Sequence, residues 1–416
     1  MKVLVLGAGV VGTTSAWFLS KLGHEVVVVE RQPVAGLETS FANAGQISAS
    51  HAEPWANPGA PMTILKWLGR EDAPLLFRLR ADASQWAWGL RFLRECLPGR
   101  THHNTLQLLS LGVYSRAVLK DLRKETGICY NYLETGILHL HSEIKSFAKA
   151  AGHAQMYSKM GCRIEVLSAQ QCIQTEPALA HSKMALAGGT FAPEDESGDA
   201  HAFTRAMEDY AIAQGVSFRF GTRVDGFEVE NSKLRGVRVR DLEDRTETIT
   251  ADAYLVCLGS YSPLVLRTLG IHIPVFPVKG YSLTIPIENP DHAPYVSVSH
   301  ESFKIACTRL GLRLRAAGTA ELAGYDTSIT ASRCESLLGR VKELFPGMGG
   351  FDLAQRWAGL RPATPSNVPL IGKTRYPNLF INTGHGTLGW TLACGSGKAI
   401  ADIISGQEPE VTFGFL

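Results

Sequence analysis

The sequence predicts an α/β protein in which a parallel sheet covered on both faces is interleaved with a second part of α+β character, and three observations carry that expectation. The chain opens on a β-branched run, a glycine-rich turn, a helical stretch and a second β-branched run, written KVLVL, GAGVVG, TTSAWFLSKLG and HEVVVVE. It closes in the same style, with NLFINTGHG followed by a helix from about 391 to 404. Between them, residues 263 to 349 carry segments (SLTIPI, FKIACT, LRLRAAG) that alternate as antiparallel strands do.

The runs at 3 to 6 and 26 to 29 are short, β-branched and lack alternation, as buried parallel strands should. Ala16, Leu19 and Leu22 recur at helical spacing between them, and Gly23 stands where a helix end favours φ > 0. Residues 54 to 98 turn to Pro, Trp and Leu, and four of the seven tryptophans fall between 55 and 88. They read as a helical cap with aromatics in its core, or as a surface leaning on a membrane or redox partner. GILHLH at 136 to 141 is a strand with His139 and His141 on one face, which without a nearby carboxylate reads as packing, so no metal is expected. A helix at 203 to 215, a strand at 216 to 220, a meander at 224 to 249 and a buried strand at 253 to 259 follow.

Composition narrows the functions. Forty-one basic against 39 acidic residues leave a charge of +2, so nucleic acid is not an expected partner. Eight cysteines contain no CxxC pair, which removes zinc ribbons and redox pairs. No stretch of 18 uncharged apolar residues occurs, and Gly7 breaks the first apolar run too early for a secretory signal. A cytoplasmic location is expected. The 41 glycines exceed the usual share of about 7% and suggest backbone brought close to a ligand.

Gly7, Gly9 and Gly12 fit G-x-G-x-x-G between a strand and a helix, and Glu30 closes the next strand. Gly7 permits the turn, Gly9 admits a pyrophosphate, Gly12 lets helix pack on strand, and Glu30 accepts from ribose hydroxyls. A Rossmann-type dinucleotide domain follows. At the C-terminus a strand ends in Gly384, His385 and Gly386 just before a helix, whose positive end suits the negative charge of a reduced flavin rather than a nicotinamide. In GLETSFANAGQIS, the small residues Ser40, Ala42, Ala44 and Gly45 would let backbone lie along a large flat ligand.

The set GAGVVG, VVVVE, ETSFANAGQIS, VKGYSLTIP, WAGLRPATP and NTGHGTLGWTLACGSG resembles the D-amino acid dehydrogenase small-subunit family, within the wider glycine oxidase and D-amino acid oxidase flavoproteins, over nearly the whole chain. The resemblance implies noncovalent FAD and oxidative deamination of D-amino acids to 2-oxo acids and ammonia. It also implies electron delivery to a quinone or other respiratory acceptor, with peripheral contact at the inner membrane face. It implies a Rossmann-type FAD-binding domain in pieces 1–50, 164–185, 198–262 and 350–416, and a substrate domain with a mixed or antiparallel sheet in 51–163, 186–197 and 263–349.

Arg361 in GLRP matches the family arginine that grips the substrate carboxylate, Tyr281 in KGYS a second hydroxyl at the pocket, and Val224 the backbone that meets the adenine. Cofactor contacts are also expected from Val10, Val11, Arg31, Asn43, Gln46, Gly259, Thr387, Leu388 and Gly389. Asn367 stands where the family often has Asp-Gly, and His385-Gly-Thr387 stands where glycine oxidases place a second arginine, which favours the dehydrogenase branch. With the carboxylate clamped, hydride can pass from Cα to flavin N5 once the amine is neutral. His51, His385 and Tyr281 are candidates for the ammonium proton. The rival readings are an oxidase or dehydrogenase of a secondary amine, and a flavin-binding electron-transfer subunit without a substrate, which the GLRP arginine argues against.

Overall fold

The computed structural model describes residues 1–70, 73–78 and 80–416. Its first sheet has six strands in the order Leu370–Lys373, Leu379–Thr383, Ala253–Val256, Lys2–Leu6, Glu25–Val29, Ser217–Arg219. All neighbours run parallel except the first pair. Strand parity divides Lys2–Leu6 between two cores. Val3 and Val5 face the helices Val10–Lys21, Pro98–Thr126, Ala200–Ala213 and Gly389–Ile404, whereas Leu4 and Leu6 face the antiparallel meander Arg223–Glu230, Lys233–Arg240, Thr246–Ile249. Both faces are covered, which explains why these strands are apolar without alternation.

The second sheet has nine strands. Its path runs Gln355–Ala363, Phe276–Pro286, Arg313–Leu322, Ile305–Leu310, Ser297–His300, Ile137–His141, Gly188–Ala192, Glu165–Ser168, and Leu75–Phe77 adds to Arg313–Leu322. The sheet is mixed, because Ser297–His300 runs parallel to Ile137–His141 and Leu75–Phe77 parallel to its neighbour, while the other pairs are antiparallel. The helix Ala331–Leu344 buries Cys334, Leu337, Leu338 and Val341 against one face.

Three segments fall on the other side of the expected division. Glu165–Ser168 pairs with Gly188–Ala192, and Cys172, Ala178 and Leu179 join the second core, so 164–185 belongs with the mixed sheet. Gln355–Ala363 likewise pairs along Phe276–Pro286. In the opposite sense, Pro98–Thr126 packs Leu108, Leu109, Leu111 and Leu119 into the core under the parallel sheet. An apolar stripe states that a face is buried, not which sheet buries it.

Candidate active site

A cavity of about 760 Å³ lies where the parallel sheet meets the mixed one, and both contribute to its wall. Its nucleotide side starts at the first turn. Gly7 has φ +102°, and a Cβ there would come within 2.7 Å of the Cys257 carbonyl oxygen. A Cβ on Gly12 would lie 1.9 Å from the Gly7 carbonyl oxygen, so these two glycines serve the protein's own packing. Gly9 is different. Its Cβ would meet only the Ser40 hydroxyl at 3.6 Å, and Gly9 lines the cavity, so the space it leaves is space for a ligand.

The helix that follows has no side-chain cap at Gly9; the Val10 N–H donates to Ser40 Oγ at 3.0 Å, and Val11 also lines the cavity. A diphosphate laid there meets N–H groups and the positive end of the helix dipole. Glu30 accepts the Ala8 N–H at 2.8 Å on one carboxylate oxygen and the Gln32 N–H at 2.9 Å on the other. Burial raises its carboxyl above the ordinary value, and each oxygen keeps a lone pair for a ribose hydroxyl. The residues present therefore fit a dinucleotide such as FAD.

The flat-ligand segment is held from both sides. Asn43 Oδ1 accepts the Gly45 N–H at 2.9 Å, with Gly45 at φ +75°. Buried Arg315 donates to the Asn43 carbonyl at 3.2 Å, and the Gln46 amide donates to Ser297 Oγ at 2.9 Å while accepting from Ser299 Oγ at 3.1 Å. Arg31, Ser40, Asn43, Ala44, Gly45, Gln46, Val224 and Gly259 all reach the cavity, as do Gly386, Thr387, Leu388 and Gly389. Gly12 and Gly384 do not line it; Gly384, at φ +83°, stands where a Cβ would lie 2.8 Å from Thr364 Cγ2.

On the other side of the cavity, Arg361 lies flat across the backbone of Gly280, where a Cβ would come within 2.3 Å of the guanidinium carbon. Its Nη1 donates to the Thr319 carbonyl at 3.1 Å, and no carboxylate pairs with it among the described residues. Burial alone pushes the guanidinium down to about 10. Thr319 is the extra residue of a bulge opposite Gly280 and Tyr281, and at φ +54° it occupies a region that β-branched residues avoid. Such strain costs about 1–3 kcal/mol and persists where surrounding structure imposes it. Here it turns a carbonyl onto the arginine.

A family model described as DAO, FAD dependent oxidoreductase, matches residues 2–403. The chain belongs to that family. It is similar to the D-amino acid dehydrogenase of Dechloromonas aromatica, 53% identical over 416 residues with all of both chains covered. It is also similar to the D-amino acid dehydrogenase of Paramagnetospirillum magneticum, 50% identical over 413 residues, 99% of this chain and 97% of that one. Among solved structures, the glycine oxidase of Geobacillus kaustophilus superposes with TM-score 0.75 at 22% identity, over 99% of this chain and 96% of that one. The L-proline dehydrogenase of P. horikoshii superposes with TM-score 0.76 at 18% identity, over 99% and 94%. These last two bear on the fold, and the DAO family assignment makes this an FAD-dependent oxidoreductase.

Within this DAO-family site, two of the expected catalytic groups are placed otherwise. Tyr281 borders the cavity, but its hydroxyl donates to Glu321 at 2.6 Å and contacts Thr330 at 3.1 Å, on the face of its strand opposite to Gly280. Neighbours in a strand point to opposite faces, so a substrate clamped by Arg361 does not meet that hydroxyl. His385 lines the cavity, yet its Nε2 is 3.1 Å from Ser396 Oγ, and burial pushes it down to about 3. Burial keeps it neutral, and the ring nitrogen Nε2 is already engaged by Ser396. His51 does face the cavity, its ring stacked on His139 with centroids 4.7 Å apart.

Glu301 was missed from the sequence. His139 Nδ1 is 3.4 Å and His51 Nε2 4.0 Å from its Oε1, and Lys304 Nζ is 2.7 Å from its Oε2. The pair Glu301 and Lys304 is visible as HESFK, but 162 residues separate Glu301 from His139. Donor atoms of His51, His139 and Glu301 lie within 4.8 Å of one another. The two rings are parallel within 11°, so their lone pairs run side by side rather than converging on one point, and the cluster reads as a charge and hydrogen-bond group.

Proposed function

We propose that the protein oxidises D-amino acids to 2-oxo acids and ammonia, passing the electrons to a quinone at a lipid surface rather than mainly to oxygen. Arg361 carries the substrate class. A half-buried guanidinium with no acidic partner among the described residues is costly unless an anion completes it, and its planar fork suits a carboxylate as Lys would not. The relatives named D-amino acid dehydrogenase, at 53% and 50% identity, support the D-amino acid as the carboxylate's bearer. Bound in the cavity, FAD supplies the two-electron acceptor. Gly280 and the Thr319 carbonyl hold the fork in one plane, which fixes the orientation of the Cα–H bond. Trp55, Trp67, Trp88 and Phe92 line the same cavity and keep water from the bound substrate.

The acceptor half rests on the two helices that carry part of this wall. Ala83–Glu95 turns Trp88 and Phe92 inward, while Trp86, Leu90 and Leu93, followed by Leu97, stand exposed at helical spacing. Ala60–Trp67 turns Ile64 and Trp67 to the cavity and exposes Met62 and Leu65, with Leu68 next. Seven large apolar side chains therefore stand in water just outside the cavity wall, beside exposed Arg91 and Arg94. Such a face suits a lipid surface. No helix among the described residues is long and apolar enough to cross a membrane.

Anaerobic addition of D-alanine should bleach the yellow protein, L-alanine should not, and heat should release FAD. Failure of D-alanine to bleach it overturns the substrate reading. Turnover with D-alanine under air should be slower than turnover with a soluble quinone analogue, and equal rates would overturn the acceptor reading.

A further inference from the structure

Expulsion of hydride from Cα requires a neutral amine, so a substrate that enters as a zwitterion must lose a proton from nitrogen. Among the described residues, four carboxylates reach the cavity wall: Glu30, Glu38, Glu53 and Glu301. Glu30 is taken by two backbone N–H groups and Glu38 by Arg31 and Gln32, both on the nucleotide side. Glu53 pairs with Lys149 and His153. Glu301 stands on the turn between Ser297–His300 and Ile305–Leu310. That turn adjoins Arg361's seat, because a Cβ on Gly318 would lie 3.1 Å from the Lys304 carbonyl oxygen, and the next residue, Thr319, holds the guanidinium. The arginine's anchor and the turn thus lie on adjacent strands of one sheet, and both border the cavity.

We infer that His51, oriented by Glu301, takes the proton from the substrate's ammonium group, with His139 and Lys304 as positioning residues that hold Glu301. The inference rests on the proposed reading of the substrate as an α-amino acid. In the step, one N–H bond of the ammonium breaks and an N–H bond forms on the His51 ring. The electron pair stays on the amine nitrogen, and the new imidazolium faces the Glu301 carboxylate. His51 is the catalytic residue and the carboxylate keeps its charge, the division of roles seen in other histidine–carboxylate pairs.

The surroundings are built for this. Half of the His51 side chain is accessible, whereas His139 behind it is buried, with Nε2 unpartnered. The backbone just before His51 is tied down, since Ser48 and Ser50 both donate to buried Asp195, which Arg116 also contacts. The groups facing His51 are Glu301 and Lys304 from the turn, His139 from Ile137–His141, and Glu53 from its own loop. His141 and His300 stand behind them, and Asp195 acts on His139. Against the burial that would raise it, the histidines and Lys304 hold Glu301 well below the carboxylate range, so it stays ionised beside the open His51 ring.

The test is kcat/KM for D-alanine from pH 6 to 10 in the FAD-loaded wild type, His51→Gln, Glu301→Gln and Glu301→Asp. The wild type should use the zwitterion and vary little between pH 6 and 8. His51→Gln should use only the neutral amine, so its kcat/KM should fall about 1,000-fold near pH 7, climb about tenfold per pH unit, and approach wild type near pH 10. Added imidazole should restore part of the loss. Glu301→Gln should show the same tilt more weakly, and Glu301→Asp should return toward wild type. A His51→Gln profile parallel to wild type, whatever its height, overturns the inference while leaving the substrate reading intact. A wild type that D-alanine does not reduce overturns both.

Discussion

Replacing Arg361 by Ala should abolish most turnover while leaving the fold and the flavin spectrum in place. Among the described residues the guanidinium makes one hydrogen bond, to the Thr319 carbonyl at 3.1 Å, which leaves its remaining donors for the substrate. Two charge-assisted bonds to a carboxylate at about 1.5–3 kcal/mol each amount to roughly 3–6 kcal/mol, or about 10² to 10⁴ in kcat/KM. Fold stability should not fall in step, because the variant removes a desolvated cation that has no acidic partner among the described residues. Arg361→Lys keeps the charge but loses the fork, and should lie between wild type and Ala. The pH response has a definite sign. The guanidinium stands at about 10 and a bound anion raises it, so binding of a plain carboxylate competitor should be constant below that pH and weaken above it. The assay is anaerobic flavin reduction by D-alanine, with competitor binding followed by the flavin spectrum. Near-normal kcat/KM in Arg361→Ala, or equal loss of flavin and activity, would refute the carboxylate clamp.

Three further outcomes are expected. Gly9→Ala should leave the apoprotein's Tm unchanged, since the new methyl meets only Ser40 Oγ at 3.6 Å, yet weaken FAD binding; Gly12→Ala, with Cβ at 1.9 Å from the Gly7 carbonyl, should misfold. Thermal melts and flavin fluorescence titration separate the two, and equal effects would sink the distinction. Buried His385, at about 3 in the fold against 6.5 when exposed, refuses a proton that the unfolded chain accepts. Stability should therefore fall as pH drops below 6.5, by about 1.4 kcal/mol per unit and about 2 kcal/mol by pH 5. Urea unfolding of apo His385→Gln should lack that share of the slope, and an unchanged slope would contradict it. Leu90→Glu should lower co-sedimentation with liposomes without changing D-alanine reduction in solution, and unaltered sedimentation would remove the helix Ala83–Glu95 from the lipid-facing surface.

How much of this was legible in the sequence follows from distance along the chain. The first βαβ unit was, because its strand, turn, helix and Glu30 lie within thirty residues and each glycine answers a local demand. The end of the chain was legible for the same reason, with Gly386 to Gly389 at the start of the last helix. Arg361 was singled out by its motif, and the structure supplies what holds its guanidinium: the absent Cβ of Gly280 and the strained carbonyl of Thr319, from two other strands.

Other features depended on register and on which sheet buries a face. Tyr281 follows Gly280 by one residue, and that single step turns its side chain to the opposite face of the sheet, toward Glu321. His51, His139 and Glu301 come from a loop, a strand and a turn that only the mixed sheet assembles, through Ser297–His300 lying parallel to Ile137–His141. Pro98–Thr126 and Glu165–Ser168 each carry a face to bury, but which core receives it is decided by partners far away in sequence. The sequence by itself determined the nucleotide-binding turn and the cofactor class through short-range sterics and spacing, and pointed to the arginine through the resemblance of its GLRP motif to a family. The tertiary structure decided the surroundings of each histidine, which carboxylate stands beside His51 and His139 and which sheet each segment joins, because burial and strand register bring together groups that no local pattern connects.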